Sequence, residues 1–172
     1  MLVVRGRSRL LASGLTLPRF RALLAYPTWG YVCQAVHAAR LYREGYEAGL
    51  ELIAFLDDHA TEFSPADVRQ HLLSLAHLIL DCLDRMDRWE EFLDWHERAR
   101  VQTGYGLRVG RRRVIERKLA RRGEGLTRIG DYHHSPDSLT DAERAQRLAQ
   151  IFAWAEAGIL RVMAERARGT KA

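Results

Sequence analysis

Apolar residues in the middle of the chain recur at spacings of three and four, which place side chains along one stripe of an α-helix. Two such stripes lie 43 residues apart. Their members are Val32, Ala35, Val36 and Ala39 in the first and Leu75, Leu78, Ile79 and Cys82 in the second. The pattern predicts two equivalent helices.

A second pair of stripes follows at the same offset. Its members are Tyr46, Gly49, Leu50, Ile53 and Leu56 in the first copy and Trp89, Phe92, Leu93, His96 and Ala99 in the second. Each copy therefore predicts an antiparallel helical hairpin. We expect helices over about 29–43 and 46–60 with a tight link at Gly45, and then over about 64–86 and 89–101 with a link at Asp87-Arg88.

Local signals indicate where several helices begin. Ser64 followed by Pro65 and Asp67 is a helix-start pattern, and the helix that it opens is apolar on most sides, which is typical of a central helix. Thr16 predicts the cap of a short helix that Pro27 ends. Thr140 and Glu143 have the spacing of a capping box.

These signals predict an all-α fold of about six helices, arranged as two stacked, solenoid-like hairpins with further helices after them. A basic arm over 1–28 precedes a single domain over 29–172. Within that domain, the hairpins occupy 29–101, a basic unit occupies 108–130, and a long helix over 139–168 caps the end of the stack.

The duplicated hairpin resembles the tetratricopeptide repeat, in which a tight turn precedes an aromatic residue of the second helix. The residues that carry the resemblance are Gly45-Tyr46, with Gly49, Ile53 and Leu56, and Asp87-Arg88-Trp89, with Phe92, His96 and Ala99. They span about 70 residues, and the offset of 43 exceeds the family's period of about 34.

The resemblance implies a groove for a peptide, lined by the first helix of each pair. The implied lining residues are Cys33, His37, Arg40, Leu73, Ala76, Leu80 and Leu83. Such an apolar surface needs a cover, which is either the chain's own last helix or a helix of a partner. We therefore expect a non-catalytic adaptor that binds a protein or peptide.

The charge distribution suggests an alternative. The formal net charge is +5, and residues 29–107 carry 14 acidic and 7 basic groups between two basic segments. The second basic segment contains Arg108, Arg111, Arg112, Arg113, Arg117, Lys118, Arg121 and Arg122. A helix over 111–122 would bring these cations either to nucleic-acid phosphates or to the acidic surface of the hairpins. Only Tyr105 and Tyr132 flank the segment, so a base-stacking platform is not expected.

Other classes of function receive less support. The richest apolar run, Leu72 to Leu83, contains His77 and Asp81 and is shorter than the roughly 20 residues of a membrane span. Cys33 and Cys82 predict reduced core thiols in a cytoplasmic protein. Neither a catalytic motif nor a cofactor motif is present, and the loop of Asp131, His133, His134 and Asp137 lacks a diagnostic metal-site spacing. The sequence is compatible with a homo-oligomer as well as with a monomer.

Overall fold

The structure, a computed structural model, describes residues 14–121 and 139–169. All regular elements within these ranges are helical, as the sequence predicts. They are α1 (Leu17–Leu24), α2 (Thr28–Ala38), α3 (Tyr42–Asp58), a 3-10 helix (Ala60–Glu62), α4 (Pro65–Arg85), α5 (Trp89–Thr103), α6 (Val109–Ala120) and α7 (Asp141–Gly169). Residues 1–13 of the predicted basic arm, Arg122 and the loop containing His133 and His134 lie outside the described residues.

Three predicted helix starts are confirmed by hydrogen bonds. The Thr16 hydroxyl accepts from the backbone N–H of Arg19 at 3.3 Å. The Ser64 hydroxyl accepts from the N–H of Asp67 at 3.1 Å. The capping box at the start of α7 is reciprocal, because the N–H of Glu143 donates to the Thr140 hydroxyl and the N–H of Thr140 donates to the Glu143 carboxylate.

The central position predicted for α4 is also confirmed. This helix contacts α2, α3 and α5. Its buried apolar residues are Leu72, Leu75, Ala76, Leu78, Ile79, Leu80, Cys82 and Leu83, which cover most of its circumference. The indole N–H of Trp29 in α2 also donates to the carbonyl of Ser74 at 2.7 Å, so the two hairpins are joined by a hydrogen bond as well as by apolar packing.

The links of the two hairpins have the same backbone geometry. The N–H of Leu41 donates to the carbonyl of Val36, and the N–H of Arg88 donates to the carbonyl of Leu83. Arg40 and Asp87 both adopt the left-handed conformation, with φ of 55° and 54°. Equivalent residues of the two links, such as Arg40 and Asp87, are 47 residues apart in the sequence.

The predicted offset of 43 and the predicted link at Gly45 are therefore wrong. The error is four residues, which is close to one helical turn, so a shifted alignment still superimposes the apolar stripes. Tyr42, not Tyr46, is the equivalent of Trp89 at the start of the second helix. The buried positions agree at the new offset, since Leu52 corresponds to Ala99 and Leu56 to Thr103.

Gly45 lies inside α3, where it permits close contact between helices. A Cβ atom on Gly45 would lie 2.7 Å from Cγ1 of Val36, and one on Gly49 would lie 2.8 Å from Cγ1 of Ile79. Both neighbours are β-branched and have little freedom at χ1. These two glycines therefore set the distance from α3 to α2 and α4.

The last helix packs against α1, α2 and α3. Its buried side chains are Leu148, Ile151, Phe152 and Ala155. Near its start, Arg144 donates to both carboxylate oxygens of Glu44, at 2.8 and 3.1 Å, and Glu44 is only 3% exposed. Further along, Arg19 of α1 forms an ion pair with Glu156. None of the helices in the described ranges combines the length and apolar character that a bilayer span requires.

We expect Gly49→Ala to destabilise the protein by about 1–2 kcal/mol. The added methyl group overpacks the contact with Ile79, and the free energy lost there exceeds the free energy gained from the higher helix propensity of alanine. Gly158→Ala is the matched control. It lies within α7 with no atom within 4 Å of the added Cβ, and it should stabilise by roughly 0.5–1 kcal/mol. Urea unfolding measures both. Equal effects of the two changes would refute the close contact.

We expect Arg144→Ala to cost about 3 kcal/mol, because it leaves the buried Glu44 carboxylate without its main partner. Adding Glu44→Gln should recover part of the loss, since the uncompensated charge is then removed. Arg147→Ala, an exposed change on the same helix, is the control and should have little effect. Chemical denaturation of the unmodified chain and these three variants tests this, and a loss below about 1 kcal/mol for Arg144→Ala would contradict it.

Candidate functional site

The basic helix α6 is fixed to α4 by two ion pairs. Arg111 donates from Nε and Nη2 to the two carboxylate oxygens of Asp84, each at 2.7 Å, and the Asp84 side chain is largely buried. Arg108, immediately before α6, donates to Asp81 at 3.3 Å. A bidentate guanidinium–carboxylate pair restricts both distance and orientation, so it determines how α6 lies on α4.

Two further cations of α6 face α5. Arg112 forms an ion pair with Glu97 at 3.5 Å and donates to Nδ1 of the buried His96 at 3.1 Å. The ammonium group of Lys118 lies 5.0 Å from the ring centroid of Trp89. Arg111 and Arg112 therefore contact acidic groups of the second hairpin, which is one of the two alternatives that the sequence left open, whereas Lys118 lies over an aromatic ring.

The opposite side of α6 presents cations to solvent. Arg113, Arg117 and Arg121 are exposed, and within the described ranges they have neither an ion pair nor a side-chain hydrogen bond. They are four residues apart, so consecutive Cα atoms advance by about 6 Å along the helix. We call these three residues the arginine ridge. Arg122, predicted with them, lies outside the described residues.

Apolar packing holds α6 at one main point. The sequence offers Val114, Ile115 and Leu119 for burial, and only Ile115 is fully buried, while the other two are half-buried. A short helix with so little apolar surface gains little from burial. The ion pairs with Asp84 and Asp81 are therefore necessary to orient it.

The turn before α6 exposes an aromatic ring. Gly104, with φ of 79°, ends α5, and the Thr103 hydroxyl donates to the carbonyl of Ala99 and accepts from the N–H of Tyr105. These contacts fix the backbone at Tyr105. Its side chain is 63% exposed.

The predicted peptide groove is not open. Leu80, Leu83 and Ala76 are fully buried and Leu73 is half-buried, so packing within the chain covers most of the apolar members of the predicted set. Arg40 lies in the link, and Nδ1 of His37 is 2.9 Å from Asp81. Cover from within the chain was one of the two alternatives, and it comes chiefly from α2, α3 and α5, whereas the last helix packs against α1, α2 and α3. Binding of a protein or peptide partner stays a prediction, but the predicted groove does not supply the binding surface.

Asp81 and Asp84 are site residues that the sequence patterns did not predict. They stand three apart on α4, a helix whose other central positions are almost all apolar, and that is the signal that could have identified them. Nor does the neighbouring Cys33 supply a nucleophile, because burial raises the pKa of its thiol to about 12. In the part of the chain that is described, no group of three or more potential metal ligands comes together.

Comparisons with models of protein families, with curated proteins and with solved structures find no match for this chain. The tetratricopeptide resemblance accordingly gains no support from a relative. The function has to be inferred from the arrangement of charges and exposed side chains.

We expect acid to destabilise the fold, because the pKa values of two histidines are lowered in the folded chain. Burial lowers the pKa of His71 and His96 below the ordinary value of 6.5, and Arg112 lowers that of His96 further. Below pH 6.5 the unfolded chain therefore binds more protons than the folded one. Stability is fully present above that pH and is lost as the pH falls through the lower folded-state values.

Urea midpoints at pH 7.5 and 5.5 measure this loss. His96→Gln retains an acceptor for Arg112 but does not titrate, so its midpoint should fall less between the two pH values than that of the unmodified chain. A midpoint that rises on acidification would refute the prediction.

Proposed function

We propose that this protein binds nucleic acid through the arginine ridge and acts as a non-catalytic accessory protein. The observation that carries the proposal is the division of cations on α6. Those on the inner side are neutralised by Asp81, Asp84 and Glu97, whereas Arg113, Arg117 and Arg121 project into solvent without an acidic partner among the described residues. A row of exposed, unneutralised guanidinium groups suits a ligand with regularly spaced negative charges.

The chemistry of such a contact is that of phosphate recognition. A guanidinium group donates two parallel hydrogen bonds to phosphate oxygens, and each phosphate that is neutralised releases counterions. Contacts of this kind position the ligand without reading its sequence. The formal net charge of +5 favours encounter with any polyanion.

The inner ion pairs support the proposal in a second way. Cations around a whole helix repel one another, and this repulsion opposes a rigid helix. Pairing of Arg111 with Asp84 and of Arg112 with Glu97 relieves part of the repulsion while keeping α6 fixed. The ridge is thus presented on an ordered element, which reduces the entropy lost when a ligand binds.

We expect binding to a fluorescently labelled random-sequence oligonucleotide, measured by anisotropy, to weaken steeply with salt. Three phosphate contacts correspond to a slope of about −2 for a single strand and about −3 for a duplex in a plot of log affinity against log salt. Replacing Arg113, Arg117 and Arg121 together with Ala should reduce affinity by about tenfold or more at low salt and flatten the slope.

The matched control is the triple variant Arg69→Ala/Arg147→Ala/Arg161→Ala. It removes the same charge from exposed positions on α4 and α7, away from the ridge. Its affinity should stay within a few-fold of the unmodified chain. Equal losses in the two triple variants would show that net charge alone attracts the oligonucleotide, and absence of binding by the unmodified chain would refute the proposed function.

A further inference from the structure

Three large apolar side chains are exposed within nine residues at the turn between α5 and α6. The exposed fractions are 68% for Val101, 63% for Tyr105 and 46% for Val109. Among the described residues, only Tyr26, Tyr31 and Trp154 are other large apolar side chains with comparable exposure. We call Val101, Tyr105 and Val109 the apolar corner. Such a concentration of apolar surface at one turn indicates a contact surface.

The apolar corner adjoins the arginine ridge at Val109. Val109 is the first residue of α6 and lies four positions before Arg113, so the two side chains are neighbours on the helix surface. The loop also packs closely on Val109, because a Cβ atom on Gly106 would lie 3.1 Å from Cγ2 of that residue. Val109 therefore joins the exposed turn that carries Tyr105 to the row of cations on α6.

We infer that the ligand is single-stranded nucleic acid, with bases packing on the apolar corner while phosphates follow the arginine ridge. The inference rests on the proposed function and specifies its ligand. Duplex DNA and RNA keep their base faces stacked inside the helix, so they offer phosphates to the ridge but nothing to Tyr105. A single strand offers both, and stacking on an aromatic ring tolerates any base.

The geometry at Tyr105 suits this role. The Thr103 hydroxyl accepts the N–H of Tyr105 at 3.2 Å, and Gly104 supplies the left-handed residue that turns the chain out of α5. The backbone that carries the ring is therefore held by the end of a packed helix. One exposed aromatic ring on an ordered backbone provides a stacking surface for one or two bases. The sequence alone did not predict such a surface.

The experiment compares four anionic probes on the full chain, using a labelled 20-nucleotide thymidine oligomer, a duplex of the same length, inorganic polyphosphate and polyglutamate. The thymidine oligomer should bind most tightly. Tyr105→Ala should weaken its binding by about tenfold, Tyr105→Phe should retain it, and neither change should alter polyphosphate binding. Tyr26→Ala, a change at a side chain that is 93% exposed in a different part of the chain, is the matched control and should have no effect.

The outcomes separate this inference from the proposed function. If the ridge variant loses binding but Tyr105→Ala does not, or if the duplex binds as tightly as the single strand, the apolar corner does not contact bases and the inference is overturned while the proposed function stands. Tighter binding of polyglutamate than of any nucleic acid would indicate an acidic protein partner and would overturn both. The order of the four probes on the unmodified chain needs no variant, so it decides the question even if Tyr105→Ala folds poorly.

Discussion

Two buried carboxylates, Glu44 in α3 and Asp84 in α4, determine where the last two described helices lie. A carboxylate removed from water needs a compensating partner, and in both cases a bidentate arginine from a later helix supplies it. Arg144 fixes α7 against the first hairpin, and Arg111 fixes α6 against the second. Because a guanidinium fork satisfies a carboxylate in few orientations, each pair specifies the direction of a helix as well as its position.

This constraint explains why so basic a helix belongs to an ordered structure. The described part of α6 buries a single residue completely, Ile115, and its cations would repel one another in isolation. The acidic residues of α4 and α5 neutralise one side of the helix and leave the other side charged. Cations of α6 that face the second hairpin are therefore paired with its acidic residues, and cations that face away from it are left exposed to solvent.

Much of the fold could be predicted from the sequence because the signals are local. Thr16, Ser64 and the pair Thr140 and Glu143 mark helix starts through hydrogen bonds within four residues, and all three predictions are confirmed. The register of the two hairpins could not be derived from apolar spacing, since a shift of four residues preserves the stripe. The left-handed residues of the two links, Arg40 and Asp87, fix the register. They are different residue types, so the sequence does not mark them as equivalent.

The candidate site could be predicted only in part. The run of cations is evident in the sequence, but which of them are available depends on Asp81, Asp84 and Glu97, each of which lies 15 or more residues along the chain from the cation that it pairs with. Likewise, an isolated tyrosine near a basic segment gives no indication of exposure. Its significance appears once Val101 and Val109 are seen to be exposed at the same turn.

The two sets of cations also differ in their response to salt. At about 0.1 M salt, charges in water are screened over roughly 10 Å, and partly buried pairs are screened much less. Phosphates held by the exposed ridge would therefore be released at ionic strengths that leave the pair of Arg111 with the largely buried Asp84 intact. Because Arg111 orients α6 and does not belong to the ridge, the proposed function implies that salt changes the occupancy of the ridge without changing its shape. On that proposal, α6 would release a polyanionic ligand while its own contact with α4 persists.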